Sequence, residues 1–425
     1  MIFKKYFLVT PTEYTIGNAS EDIYMASIYS LINNKTLIIL VRRPTLLRFF
    51  FRNLKIKKIT NSEIFKLTCN QPIILKSKWY LIFLSWALDF CFLALYFFNK
   101  SIFRIYNFGA KKFDFNKINI NYTPSINLSK IYKFTNRSLN FENLSSINWQ
   151  NYLNIRIDYL ITNENNGFDI IRQMGLNEND WFVCVHVREL GFHSNSSEEG
   201  SYRCADINNY ESTFDYIASI GGYVIRLGDS SMKKIKSNSR IIDYANSRFK
   251  SDFMDLFLIK HCKYYFGMDS GIYDTAVLFQ KSIIMANLTG WWFALPVKKN
   301  DIFIIKHIYS KSKCRMLSVK EVLDLPFDVC FHFYDDLTFT DSDYLFLENK
   351  EEDIFDLVKE KIEMDHNYKY DKLQNLFCEG RQVQILKWIS EENIFKNNSN
   401  LAYRFAIRYY YQGSLSKKFL TKYWN

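Results

Sequence analysis

At 425 residues and 50.8 kDa the chain is too long for one ordinary hydrophobic core, and its length predicts two or three domains. Hydrophobic residues make up 48%, enough to bury those cores, and the net charge is +11. The lysines are scattered among Asn and Ile without a run of like charges, which argues against a duplex-binding stripe and suits a solvated surface facing an anionic membrane.

Near the start, Phe7 to Thr10 is predicted as a strand. A turn through Thr15, Ile16, Gly17 and Asn18 follows, then a helical pattern (Ile23, Ala26, Ser27, Ser30, Leu31) and a second strand, Leu37 to Val41. Strand, turn, helix and strand make one βαβ unit, so the amino-terminal third is α/β. Gly17 serves either a turn with positive φ or a close approach of ligand to backbone, and with Asn18 it is the candidate for the acceptor side.

Residues 79 to 98 are long and apolar enough to span a bilayer. Asp89 near the centre opposes insertion, lysines flank both ends, and Ser85, Asp89 and Tyr96 fall near one helical face. A buried or interfacial helix with a polar stripe is expected there rather than a true span. Residues 105 to 165, rich in Asn, Ser and Tyr, hold the interdomain connection near their end.

From Trp181 onward apolar strands alternate with helices: Trp181 to Val187, a helix near Tyr210 to Ile220, Tyr223 to Leu227, Ile241-Ile242, a helix over Ser251 to Lys260, Tyr264 to Phe266, a helix from Gly271, and Ser282 to Met285. This pattern predicts a parallel, doubly wound sheet. Glu351 to Met364 is a charged amphipathic helix, and a largely helical tail follows.

Charge collects where these strands end. His186, Arg188 and Glu189 follow the first strand, Arg226-Leu227-Gly228-Asp229 close the second, and Asp269-Ser270-Gly271 sit where a later strand passes into a helix. In open α/β sheets ligands bind at such ends, and a planar Arg there can grip a diphosphate through two parallel hydrogen bonds. Asp269 and Ser270 also suit a plain helix cap, and His186 a satisfied core histidine. Glu189 and His193 are the nearest groups that could take a proton from an attacking hydroxyl. Arg203 and Asp206 are expected either to pair with each other or to touch ligand. Asp341-Ser342-Asp343 mimics a metal-binding D-x-D but lies in a polar turn beside Asp335 and Asp336, as a solvated loop would.

The eight cysteines (Cys69, Cys91, Cys184, Cys204, Cys262, Cys314, Cys330, Cys378) contain no C-x-x-C pair and have no His at ligand spacing, which predicts a reducing compartment and no structural zinc. No small-residue cleavage site follows Met1 to Thr10, so the expected location is the cytoplasm, with peripheral contact at the inner face of the membrane.

The blocks V-H-V-R-E, R-C-A-D-I-N-N-Y, G-G-Y-V-I-R-L-G-D, S-D-F-M-D-L-F-L-I-K-H-C-K-Y-Y-F-G-M-D-S-G and N-L-T…P-V-K-K-N-D-I-F, in this order between 181 and about 364, resemble a bacterial family of surface-polysaccharide glycosyltransferases. More distantly, the H-x-R element is similar to that of inverting fucosyltransferases. The resemblance implies a GT-B architecture: two Rossmann-like α/β domains facing across a cleft, residues 1–165 on the acceptor side, 175–345 holding a nucleotide sugar, and 346–425 crossing back onto the first domain. It implies that Arg188 anchors the diphosphate without a metal or other cofactor, that Arg226 and Asp229 support the donor pocket, and that Asp269, Ser270 and Gly271 contact nucleotide or sugar. Glu189 stands where the fucosyltransferases carry a second Arg, which leaves a UDP-, GDP- or CMP-linked donor open. A glycan or lipid-linked glycan is the expected acceptor. A nucleotide-sugar epimerase or hydrolase, or a non-catalytic carbohydrate-binding subunit, would suit the same residues.

Overall fold

The computed structural model describes residues 6–9, 15–32, 34, 36–39, 61–69, 153, 155–189, 201–292, 295–330, 343–364, 368–391 and 408–425. The chain divides into two compact units, residues 1–140 with 158–162, and residues 141–157 with 163–425. The apolar segment 79–98 lies outside the described residues. Among those described, no helix is long and apolar enough to cross a membrane.

In the first unit, β1 (Tyr6–Val9) and β2 (Thr36–Ile39) pair in parallel through α1 (Ile16–Ile32), the βαβ unit expected from the periodicity. The helix begins at Ile16, so Gly17 and Asn18 belong to its first turn and not to a preceding loop. Gly17 is not among the glycines with positive φ. A glycine near a helix start satisfies a turn pattern and a helix pattern equally well, and the apolar face starting at Ile23 decided for the helix. Ile23, Ala26 and Ile28 are fully buried. An antiparallel pair, β3 (Thr68–Cys69) with β4 (Tyr159–Leu160), is tied to α1 by Tyr159, whose hydroxyl donates to Ser27 Oγ at 2.7 Å.

The second unit is built on a seven-stranded, wholly parallel sheet. Its elements are α2 (Glu164–Gln173), β5 (Phe182–Val185), α3 (Glu211–Ser219), β6 (Tyr223–Arg226), β7 (Ile241–Ile242), α4 (Asp252–His261), β8 (Tyr264–Gly267), α5 (Gly271–Leu278), β9 (Ser282–Leu288) and β10 (Ile302–Ile305). A small antiparallel sheet follows, β11 (His307–Ser310) flanked by β12 (Arg315–Met316) and β13 (Tyr344–Leu347), with α6 (Val319–Leu323) between the latter two. Then come α7 (Glu351–Glu363), α8 (Lys372–Glu391), β14 (Ser414–Leu415) and α9 (Lys417–Tyr423). The large sheet runs β14-β10-β9-β8-β5-β6-β7. Every residue of β5, β6 and β10 is buried, which is why β5 and β10, and β6 up to Arg226, read as apolar runs and not as alternating ones. Right-handed crossovers from β5 toward β6, and from β8 toward β9, run in opposite directions along the sheet and therefore place α3 and α5 on opposite faces. On one side α3 packs with α7, and on the other α5 packs with α4. The arrangement is doubly wound and Rossmann-like.

In the carboxy-terminal segment, β14 adds to β10 in parallel, extending the sheet of the second unit by one strand. Two side chains fix it there. Gln374 Nε2 donates to the Leu415 carbonyl at 3.0 Å, and the buried Arg381 guanidinium donates to the carbonyls of Gly413, at 3.1 Å, and Tyr411. A strand of two residues carries no periodicity of its own, so nothing in its sequence announces it.

Candidate functional site

Strand order reverses at β5. From it the chain moves outward through β6 to β7, then returns to β8 on the other flank of β5. Loops leaving two such strands diverge and open a crevice at the carboxyl ends, where ligands bind in this class of sheet. The ladder continues beyond the strands and sets what meets there. His186 N donates to the Phe266 carbonyl at 2.9 Å, Leu227 N donates to the Val185 carbonyl at 2.7 Å, and Arg188 N points at Met268 Sδ at 3.3 Å. The residues after β5 and after β8 are thereby held side by side.

Asp269 is the buried carboxylate of this place, 1% exposed. Its Oδ2 accepts from Thr289 Oγ1 at 2.8 Å and faces Arg203 Nε at 3.4 Å, while Arg203 Nη2 donates to the Asp269 carbonyl. Among the described residues its buried Oδ1 has no hydrogen-bond partner. The half-buried Arg188 guanidinium lies against Cys204 within the fields of Arg203 and Asp269. Burial lowers its pKa, and the neighbouring Arg203 charge acts in the same direction. Among the described residues Arg188 makes no ion pair. Lys306, also buried, donates to the Cys204 carbonyl at 2.5 Å, and burial lowers its pKa too. Among the described residues, Arg188, Arg203 and Lys306 thus outweigh Asp269, the carboxylate buried beside them, which is the electrostatic preparation an anionic ligand needs.

Ser270 stands at the N-cap of α5 in extended backbone, φ −127° and ψ 156°, yet makes no cap hydrogen bond. Its Oγ instead lies 3.0 Å from His186 Nδ1. Burial pushes the His186 pKa down to about 3, with the Arg226 and Arg188 charges adding to the effect, so the ring is neutral.

Arg226 is placed otherwise than a ligand contact would be. Its side chain is fully buried, with Nη2 donating to Glu189 Oε1 at 2.8 Å and Nη1 to Asp243 Oδ1 at 3.4 Å. The other Glu189 oxygen accepts from Lys233 N at 2.7 Å. Both Glu189 oxygens are therefore committed to holding the segment after β6, and this carboxylate is poorly placed to take a proton from substrate. Gly228 carries φ +144°, and a Cβ built there would fall 2.2 Å from Met232 Sδ, so the glycine is required by that turn. Asp229 accepts from Ser231 N at 2.8 Å and shapes the same turn.

Arg203 and Asp206 do not serve as partners for one another: Arg203 goes to Asp269, whereas the exposed Asp206 caps the following short turn through Asn208 N at 3.0 Å and faces Lys233 at 3.6 Å. The loop carrying both is braced by Tyr202, whose ring stacks on Phe346 of β13, and by Glu348, which accepts from Asp206 N at 2.9 Å. Gly271 opens α5 beside Ser270, while Gly17 and Asn18 sit in the first unit. His193 lies outside the described residues, as do Asp335, Asp336, Asp341 and Ser342. Asp343 accepts from Ser312 N at 2.8 Å, from Ser312 Oγ at 2.9 Å and from Ser310 Oγ at 2.9 Å, so its carboxylate serves its own loop.

Thr289, Cys204 and Lys306 were absent from the expected site. Thr289 could have been found, because it follows β9 as Asp269 follows β8. Lys306 and Cys204 come from a neighbouring strand and a loop whose meeting depends on the tertiary path.

No family profile matches the chain, and no curated protein matches it in sequence. Among solved structures it is similar to a glycosyl transferase family 9 protein from Veillonella parvula, with a TM-score of 0.36, 10% identity, and coverage of 68% of this chain and 82% of that one. A likeness of that size bears on neither site nor substrate.

Proposed function

We propose that the protein is a glycosyltransferase that moves a sugar from a nucleotide-sugar donor to a glycan or lipid-linked glycan in bacterial surface-polysaccharide synthesis. The observation that carries this reading is Arg188, half-buried beside Arg203 at the switch point of a parallel sheet, with no ion pair among the described residues. A guanidinium so placed can take a diphosphate in two parallel charge-assisted bonds and stabilise it as it leaves, with no metal needed for that charge. Asp269 Oδ1, a buried acceptor without a donor among the described residues, suits a ribose or sugar hydroxyl. The acceptor hydroxyl attacks the anomeric carbon and its proton passes to a base. With Glu189 held by Arg226, His193 is the remaining candidate for that base.

In this proposal the two units form a GT-B pair, with Gly17 and Asn18 on the acceptor side and residues 79–98 meeting the inner face of the membrane. The test is a thermal-shift screen against UDP, GDP, CMP and their sugars. A ligand at a hundredfold excess over its Kd adds about 2.7 kcal/mol of stability, so modest binders register. A set of unchanged melting curves would sink the reading, and release of free sugar or of an epimerised donor without an acceptor would transfer it to a hydrolase or epimerase.

A further inference from the structure

We propose that Lys306 works with Arg188 as a two-cation clamp, one cation for each phosphate of a nucleoside diphosphate, so that the donor is a sugar linked through two phosphates and not a CMP-linked one. The inference rests on the donor-site reading above and narrows it to one class of donor.

Lys306 is the first residue after β10, at the same end of the parallel sheet as Arg188 and Asp269. It is 2% exposed, and an ammonium carries three N–H donors. One of them goes to the Cys204 carbonyl at 2.5 Å, and among the described residues no carboxylate lies within ion-pair distance and no second acceptor meets it. A buried cation without an anionic partner is unfavourable, and an anionic ligand supplies what the chain leaves out. The acids whose fields reach Lys306 are engaged elsewhere. Asp269 holds Thr289 and Arg203, and Glu348 accepts from Asp206 N at 2.9 Å and from Asn209 Nδ2 at 3.3 Å. Cys204 sets the two cations side by side, because the Arg188 guanidinium lies against its thiol while Lys306 holds its carbonyl. Two cations separated by one residue match two linked phosphates, whereas a single phosphate needs only one of them.

The backbone under Lys306 is strained and locked. Met285 to Leu288 on β9 runs alongside Phe303 to Ile305 on β10, so β9 carries one extra residue, a β-bulge. Within it Asn287 has φ +54°, left-handed backbone that residues other than glycine rarely adopt. A buried pair fixes this shape: Asn287 N donates to Asn349 Oδ1 and Asn349 N to Asn287 Oδ1, both at 2.7 Å. Asn349 Nδ2 donates to the Ile305 carbonyl at 2.7 Å, and Lys306 N to the Leu288 carbonyl at 2.7 Å. One inserted residue turns every later side chain of the strand to its other face, which brings Thr289 to Asp269 and fixes the Lys306 backbone next to it. Bulges and left-handed residues collect where a strand must aim a side chain at a ligand.

The probes are UDP against UMP and GDP against GMP, titrated in calorimetry, with CMP standing for the other donor class. The unmodified chain should bind one of the diphosphates at least about tenfold more tightly than its monophosphate and than CMP. In Lys306→Met, which keeps the length of the side chain and removes its charge, that preference should shrink to within about threefold. A lysine that only supports the fold would weaken both nucleotides alike and leave the preference intact. An intact preference in Lys306→Met, or an unmodified chain that takes a monophosphate or CMP as tightly as the diphosphates, would overturn the inference while the nucleotide-sugar reading stands. Should Lys306→Met show no melting transition, Lys306→Gln takes its place under the same limits. Failure of the underlying reading looks different: none of these nucleotides binds the unmodified chain, or Arg188→Ala binds the diphosphate undiminished, and the inference falls with it.

Discussion

Arg188 and Arg226 leave neighbouring parallel strands, yet their surroundings give them opposite work. Arg226 lies between Glu189 and Asp243 in full burial. Removing one partner of a buried pair leaves the other charge unpaired, so Arg226→Ala should cost about 3 to 5 kcal/mol of stability, read from urea melts. Arg188→Ala should leave the melt nearly unchanged and weaken nucleotide binding at least tenfold, since one charge-assisted bond is worth about 1.5 to 3 kcal/mol. Undiminished binding in calorimetry would remove Arg188 from the site. His186 gives a pH test. The unfolded chain accepts a proton on this ring near pH 6.5, whereas the folded chain refuses it until about 3. The neutral ring's contribution is complete above that unfolded value and is lost as pH falls through the window between them. His261 is shifted the same way by burial, so the comparison must be with His186→Asn. Between about pH 7 and pH 5 the unmodified chain should lose more stability than that variant, and equal losses would mean that the folded state takes the proton.

At the level of strands and helices, the central sheet was largely legible. The runs ending at Val185, Arg226, Gly267 and Leu288 are mostly apolar because both faces are covered, and their boundaries fall within a few residues of the pattern. The glycine-bearing start of α1 and the short β14 were not legible, the first because turn and helix signals coincide at Gly17, the second because Ser414-Leu415 is ordered by Arg381, Gln374 and β10 and not by its own residues. That dependence makes the closing segment structural. Leu420 in α9 is fully buried, and Leu420→Ala should cost about 2 to 5 kcal/mol, as a core leucine would. A loss below about 0.5 kcal/mol, the range of a surface change, would show that α9 is a loose appendage.

Across the whole molecule, the sequence located the charged ends of the sheet but not their division of labour. Whether a strand-end Arg faces a crevice or an internal carboxylate depends on which neighbouring strand brings an acid, and Asp243 meets Arg226 only through the pairing of β6 with β7. Net charge is a property of the entire surface, and its prediction belongs here. If the +11 charge serves an anionic membrane, the protein should sediment with vesicles containing anionic lipid at low ionic strength. It should be released near 1 M salt, where the screening length is about 3 Å. Binding to neutral vesicles, or binding indifferent to salt, would set aside the electrostatic account.

The neighbour of β10 at the sheet's edge arrives late in synthesis. Ile302 and Phe303 take Ser414 and Leu415 as their partners, so on a ribosome adding roughly 5 to 20 residues per second the nascent β10 keeps an open backbone edge for roughly 5 to 20 s. Through that interval a fully apolar strand can be claimed by another chain. Yield in cells should therefore respond to translation speed and to holding chaperones more steeply than the stability of the finished fold would suggest.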